Sequence, residues 1–297
     1  MAVAPTTRTL RIPTSEEAAR GRRIQNVLKY ILLILIGLIA LTPFILAFLG
    51  TFKTDAEIIA YPPGFFPKQW LVGNWVKTWS TDFGQGATFP RWLVNTAVVA
   101  VGSALLQVLC CSMAAYAYAR LLFPGKNAIF SFMLASMMIP GAVTLIPAYV
   151  VMTKIGFVNT YWSLLVPGAI SAGNIFLLTQ FLKAVPRELE EAAFMDGASQ
   201  FRIYKDVVIP LARPAMLTVF ILQFQGMWNA FMAPLLYLNT PKMWVLNVAI
   251  STFQQQYKAQ WNLTLVAAMF NAIPVLLLFA FFSRYYIEGI SYSGLKG

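Results

Sequence analysis

Six stretches of the chain run for at least 22 residues without a charged side chain: 30–52, 92–119, 127–153, 155–182, 214–241 and 262–283. A hydrocarbon core ~30 Å thick is crossed by about 20 helical residues, so each run can span it with some tilt. Lipid offers the backbone no hydrogen-bond partner, which leaves only helices or a closed barrel. The runs are continuous and lack the period-2 alternation of barrel strands, so the barrel is excluded. The expected fold is an all-α membrane protein with six transmembrane helices. Composition agrees, with 59% of the 297 residues hydrophobic and 11% charged, against about a quarter charged in soluble domains.

Residues 1–28 are polar, rich in Thr, Arg, Pro and Ala, and without apolar period, which predicts a disordered basic tail before a transmembrane domain over 29–297. The apolar run after Arg20-Gly21-Arg22-Arg23 is too long for a signal-peptide core and lacks a small-residue cleavage site, so it reads as a retained first span. The expected spans are about 30–52, 92–119, 127–153, 155–182, 214–238 and 262–283. Residues 184–210 form a cytoplasmic loop, and 53–91 and 239–261 form external loops. Of the 22 Lys and Arg, 15 fall on one side of this layout; Lys53, Lys68, Lys77, Arg91, Lys154, Lys242 and Lys258 fall on the other. The excess of Lys and Arg in cytoplasmic loops then puts both termini and the 183–213 loop inside. Anionic inner-leaflet lipid accounts for the +11 net charge, with no nucleic acid required.

Several chemistries are excluded. Cys110 and Cys111 are the only cysteines and sit together in the second run; they read as small packing residues, without a disulfide framework. Histidine is absent, so neither a zinc site nor a nucleophile–histidine pair is expected. The spans hold no ionisable residue for a proton relay or a gating charge. Gly125-Lys126 lacks the spacing of a phosphate-binding loop. A membrane-embedded enzyme would need an intramembrane acid, base or metal ligand, and none is there. If the chain moves a solute against a gradient, the energy comes from another chain.

Uncharged polar residues do lie at depth: Asn95, Gln107, Asn174, Gln180, Gln223, Gln225, Asn229 and Asn271. Two readings stay open, hydrogen bonds between packed helices and the lining of a passage. Gln223, Gln225, Trp228 and Asn229 crowd into two turns of the fifth run, and an aromatic face beside amides suits a sugar, whose CH face stacks while its hydroxyls need partners.

The loop between the fourth and fifth runs predicts a short helix. Pro186 suits its first turn, Glu188, Glu190 and Glu191 complement its N-terminal dipole, and Gly197 ends it. Leu189, Ala192 and Ala193 share one face. A second helical stretch covers 198–208, before Pro210 and Pro214 introduce the next span. Such a pair could lie on the membrane surface or fit a partner's groove; the alanines favour the groove, because they allow close approach.

Glu191-Ala192-Ala193, then Gly197, nine residues, and Val207-Val208-Ile209-Pro210 resembles the EAA motif of ABC-importer permease subunits, with Val207 for Ile and Ile209 for Leu. Ala114-Ala115-Tyr116-Ala117-Tyr118-Ala119-Arg120-Leu121, Asn159-Thr160, Asp196-Gly197-Ala198, Trp228-Asn229 and Gly294-Leu295-Lys296-Gly297 are similar to the carbohydrate-uptake branch, which includes the smaller permease of the maltose transporter. The resemblance implies a type I importer fold in a bacterial plasma (inner) membrane. It also implies a second, homologous permease in a heterodimer, a cytoplasmic ATPase dimer that binds ATP and Mg, and an external sugar-binding protein. The chain itself would be non-catalytic and hold neither cofactor nor metal. Glu191, Ala192, Ala193, Asp196, Gly197 and Pro210 would couple to the ATPase, with the Ala192/Ala193 face buried against it and Gly294–Gly297 nearby. Gln223, Gln225, Trp228, Asn229 and Asn174 would line the substrate path, and Gln254, Gln255 and Tyr257 would face the binding protein. The expected function is translocation of a sugar or oligosaccharide; the alternative is a permease of the same family for a non-sugar solute such as a polyol or glycerol phosphate.

Overall fold

The computed structural model describes residues 15–84, 86–256 and 260–294, with 15–22, 24, 252–256 and 282–294 described by backbone alone. Every regular element among them is helical. The order is α1 (Ser15–Gly50), α2 (Asp55–Ile59), α3 (Gly73–Ser80), α4 (Phe89–Arg120), α5 (Lys126–Ser136), α6 (Gly141–Lys154), α7 (Trp162–Gly168) and α8 (Ala172–Ala184). It continues with α9 (Glu188–Met195), α10 (Gln200–Ile203), a π-helical turn (Tyr204–Val208), α11 (Ile209–Trp228), α12 (Met232–Tyr237), α13 (Leu246–Gln256) and α14 (Trp261–Gly294).

Among the described residues, four helical stretches are long and apolar enough to cross a bilayer: Gln25–Gly50, Phe89–Arg120, Gln200–Trp228 and Trp261–Phe281. The third and fourth expected spans are broken. α5 and α6 meet at 104°, α7 and α8 at 43°, and the number of spans reaches six if each bent pair counts as one. The first break falls just before Pro140, which has no N–H to continue a helix and disfavours helical backbone in the residue before it. The second follows Pro167 and Gly168, and α8 restarts at Ser171, whose hydroxyl accepts the Asn174 N–H at 3.4 Å.

Three other boundaries move. α1 begins at Ser15, so the half of the expected tail that is described is helical; the Glu16-Glu17-Ala18-Ala19 start is acidic and rich in good helix formers, which favours an N-terminal turn. Residues 1–14 lie outside the described residues. The fifth span ends at Trp228 rather than 238, and at its other end it continues the loop helix: α10, the π turn and α11 form one run from Gln200. Pro210 lies directly after the π turn inside that run, where it has no N–H to donate. The extra residue of the π turn lets Ile209 N–H reach Tyr204 O. Residues 239–261, expected as a loop, contain α13, whose Leu246, Val248 and Ala249 are buried. That helix is short and bordered by Lys242 and Lys258, so it forms no long charge-free run.

α4 lies at the centre, against α11 and α8. One core cluster joins Cys111, Ala115 and Ala119 of α4 to Ile175, Leu178 and Leu182 of α8 and Ala212, Ala215 and Val219 of α11. A second, toward the other end, joins Val99 and Leu164 to Leu238, Val245 and Val248. α1 from Val27 to Phe48 and much of α5–α6 leave their apolar side chains exposed, Met138 at 85% and Phe132 at 79%; in a chain with four long apolar helices this surface belongs to lipid or another subunit.

Candidate coupling and translocation site

α9 is a short polar-started helix with three acids in its first turn, Glu188, Glu190 and Glu191, where the N-terminal end of the helix dipole favours them. Pro186 sits two residues ahead of α9 rather than inside its first turn. The end of α9 is a Schellman motif: Gly197 N–H donates to Phe194 O at 3.0 Å and Ala198 N–H to Ala193 O at 3.0 Å. Gly197 stands at φ +79°, a left-handed conformation that costs a side-chain-bearing residue about 1–2 kcal/mol. Ser199 then starts α10, its hydroxyl accepting the Arg202 N–H at 3.3 Å.

The expected Ala192/Ala193 face divides. Ala193 and Ala198 pack against the chain's own core beside Tyr204 and Val208, because successive helical residues point about 100° apart. Ala192 and Glu191 are exposed. The outer face instead presents Leu189, Phe194, Met195 and Phe201, at 51%, 60%, 84% and 68% exposure. Large apolar groups open on a polar loop mark a surface for another protein.

Three side chains at four-residue spacing on α4 hold this loop. Ser112 Oγ lies 2.7 Å from Tyr204 OH, Tyr116 OH donates to Gln200 Oε1 at 2.8 Å, and Arg120 Nε donates to Glu190 Oε1 at 2.6 Å. Sequence reasoning missed all three in this role; their i, i+4, i+8 spacing was the available signal. A groove of about 510 Å³ lies beside them, lined by Arg120, Arg187, Glu190, Glu191, Phe194 and Met195 among others.

The polar residues at depth divide into two groups. Gln107 Nε2 donates to Gly168 O at 2.7 Å, capping the carbonyl freed by the α7–α8 break, and Asn174 Nδ2 donates to Gln107 Oε1. Gln223 Nε2 donates to Ser103 Oγ at 2.7 Å, and the buried Trp228 donates its indole N–H to Asn271 O at 3.0 Å. These four bond helix to helix. Gln225 is exposed on α11 with Leu222 and Gly226, and the exposed Asn229 caps the end of that helix, its Nδ2 reaching back to Gln225 O at 2.9 Å. Gln254 and Gln255 fall on α13 with side chains outside the described residues, and Tyr257 and residues 295–297 lie outside them altogether. Among the described residues no group of His, Cys, Asp and Glu could hold a metal ion.

The chain is similar to the arabinooligosaccharides transport system permease protein AraQ of Halalkalibacterium halodurans, 28% identical with 93% of this chain and 99% of that protein covered. It is 29% identical to the sn-glycerol-3-phosphate transport system permease protein UgpE of Brucella abortus, over 91% of this chain and 97% of that one. Its fold matches a chain of a bacterial ABC transporter involved in the import of the acidic polysaccharide alginate, with a TM-score of 0.76 and 23% identity over 90% of this chain and 98% of that chain. Residues 107–289, which contain α9, the π turn and α11, match the binding-protein-dependent transport system inner membrane component model, and the chain belongs to that family.

Proposed function

We propose that the chain is the permease subunit of an ATP-driven sugar importer, in which a cytoplasmic ATPase moves α9 and α11 carries that movement into the passage. The observation that carries this reading is the unbroken helical run from Gln200 to Trp228: one end lies beside the exposed Leu189, Phe194, Met195 and Phe201, and the other bears Gln225 and Asn229. Glu191, Ala192, Asp196, Gly197 and Pro210 shape the driven end. The transporter pairs this chain with a second permease, an ATPase dimer holding ATP and Mg, and an external binding protein. Both termini and α9 face the cytoplasm, a reading that the distribution of Lys and Arg supports.

The solute is a sugar or oligosaccharide. Two exposed amides at the end of α11 suit hydroxyls, which both donate and accept, and that face offers no cation of the kind a phosphate would take. The oligosaccharide transporter among the relatives supports the same reading; the glycerol-phosphate one defines the alternative. The test is uptake by the whole transporter in proteoliposomes with its co-purifying binding protein. Oligosaccharide uptake dependent on ATP, and halved or worse by Gln225→Ala with Asn229→Ala, is the expected result; uptake of glycerol phosphate alone overturns the sugar assignment.

A further inference from the structure

Arg120 ends α4 and its side chain is only 5% exposed; Glu190, in the first turn of α9, is 12% exposed. The guanidinium makes two bonds to two different segments: Nε to Glu190 Oε1 at 2.6 Å and Nη2 to Val185 O at 2.9 Å, in the linker between α8 and α9. One planar fork therefore ties both the first turn of α9 and the residue that caps α8 to the end of α4. Burying such a pair costs desolvation, and an apolar pair of similar size would hold two helices together as well or better. What the ion pair adds is a defined geometry. Tyr116–Gln200 and Ser112–Tyr204 extend the same seam along α4, and α4 packs on α11 and α8 for much of its length.

We infer that Arg120 is a positioning residue that locks α9 to α4 through Glu190 and Val185, so that movement of α9 reaches the central helix of the bundle by a second route besides α11. This rests on the coupling role proposed for α9. The two routes predict different failures. Loosening the lock should leave the ATPase docked and hydrolysing ATP while the bundle follows through α11 alone.

The experiment uses the complete transporter with binding protein and ATPase in proteoliposomes, and reads solute taken up per ATP hydrolysed for Arg120→Gln, Glu190→Gln and Arg120→Lys. The expected result is that both Gln variants assemble and hydrolyse ATP in response to loaded binding protein, with uptake per ATP reduced about tenfold. Arg120→Lys should recover part of it, because a lysine keeps the charge but lacks the planar fork whose separate nitrogens reach the two acceptors. Uptake per ATP equal to wild type in both Gln variants overturns the lock, and so does failure of both to assemble, which would make the pair a folding element. Gly197→Pro separates the two levels of argument: if it too leaves uptake per ATP intact, the coupling role of α9 fails; if only the Arg120 and Glu190 variants do so, the lock alone fails.

Discussion

Gly197 and Gln107 show how single residues carry the two halves of the account. Proline at 197 would fix φ near −65° where the backbone needs +79° and would remove the N–H bonded to Phe194 O. Gly197→Pro should therefore open the α9–α10 turn while the spans still insert. Gln107 acts inside the bundle instead, where it caps the carbonyl left at the α7–α8 break and accepts from Asn174. Gln107→Leu leaves both partners without a bond there. A loss of about 1–3 kcal/mol of stability is expected for such orphaned groups, measured as a lowered thermal transition in detergent.

Helix approach decides the element scale. A Cβ at Gly168 would lie 2.9 Å from Ser103 Oγ and 3.2 Å from Gln223 Nε2, closer than packed atoms tolerate without movement. Gly168→Val should push α7 off α4 and break the Gln223–Ser103 bond, costing about 1–3 kcal/mol; an unchanged thermal transition would show that α7 yields freely. Such contacts also explain what was legible beforehand. The charge-free runs coincide with the four long apolar helices and the two bent pairs, and the spacing from Glu191 to Pro210 marked the loop seen as α9, α10 and the π turn. Helix ends were less legible. Pro140 and Pro167 lie where two apolar runs bend, whereas Pro147, Pro214 and Pro274 lie inside helices that continue, so a proline in an apolar run does not by itself mark a helix end. The amides at depth looked alike in sequence; tertiary partners separate Gln223 and Asn174, bonded between helices, from Gln225 and Asn229, exposed at the end of α11.

For the whole molecule, the exposed apolar surface of α1, α5 and α6 and the polar loop of α9 require opposite surroundings. Orientation is directly measurable. After replacement of Cys110 and Cys111 by alanine, a cysteine at Lys205 should react with a membrane-impermeant maleimide only in inside-out vesicles, and one at Lys242 only in intact cells or spheroplasts. The reverse pattern would invert the topology and remove α9 from the cytoplasm. The account depends most on α9 being where ATP energy enters the passage. The measurement that reaches this claim most directly is solute uptake per ATP hydrolysed in proteoliposomes holding the complete transporter, wild type against Gly197→Pro and Glu191→Lys. Both variants should insert and assemble yet lose most uptake per ATP; wild-type uptake from either assembled variant would contradict the account.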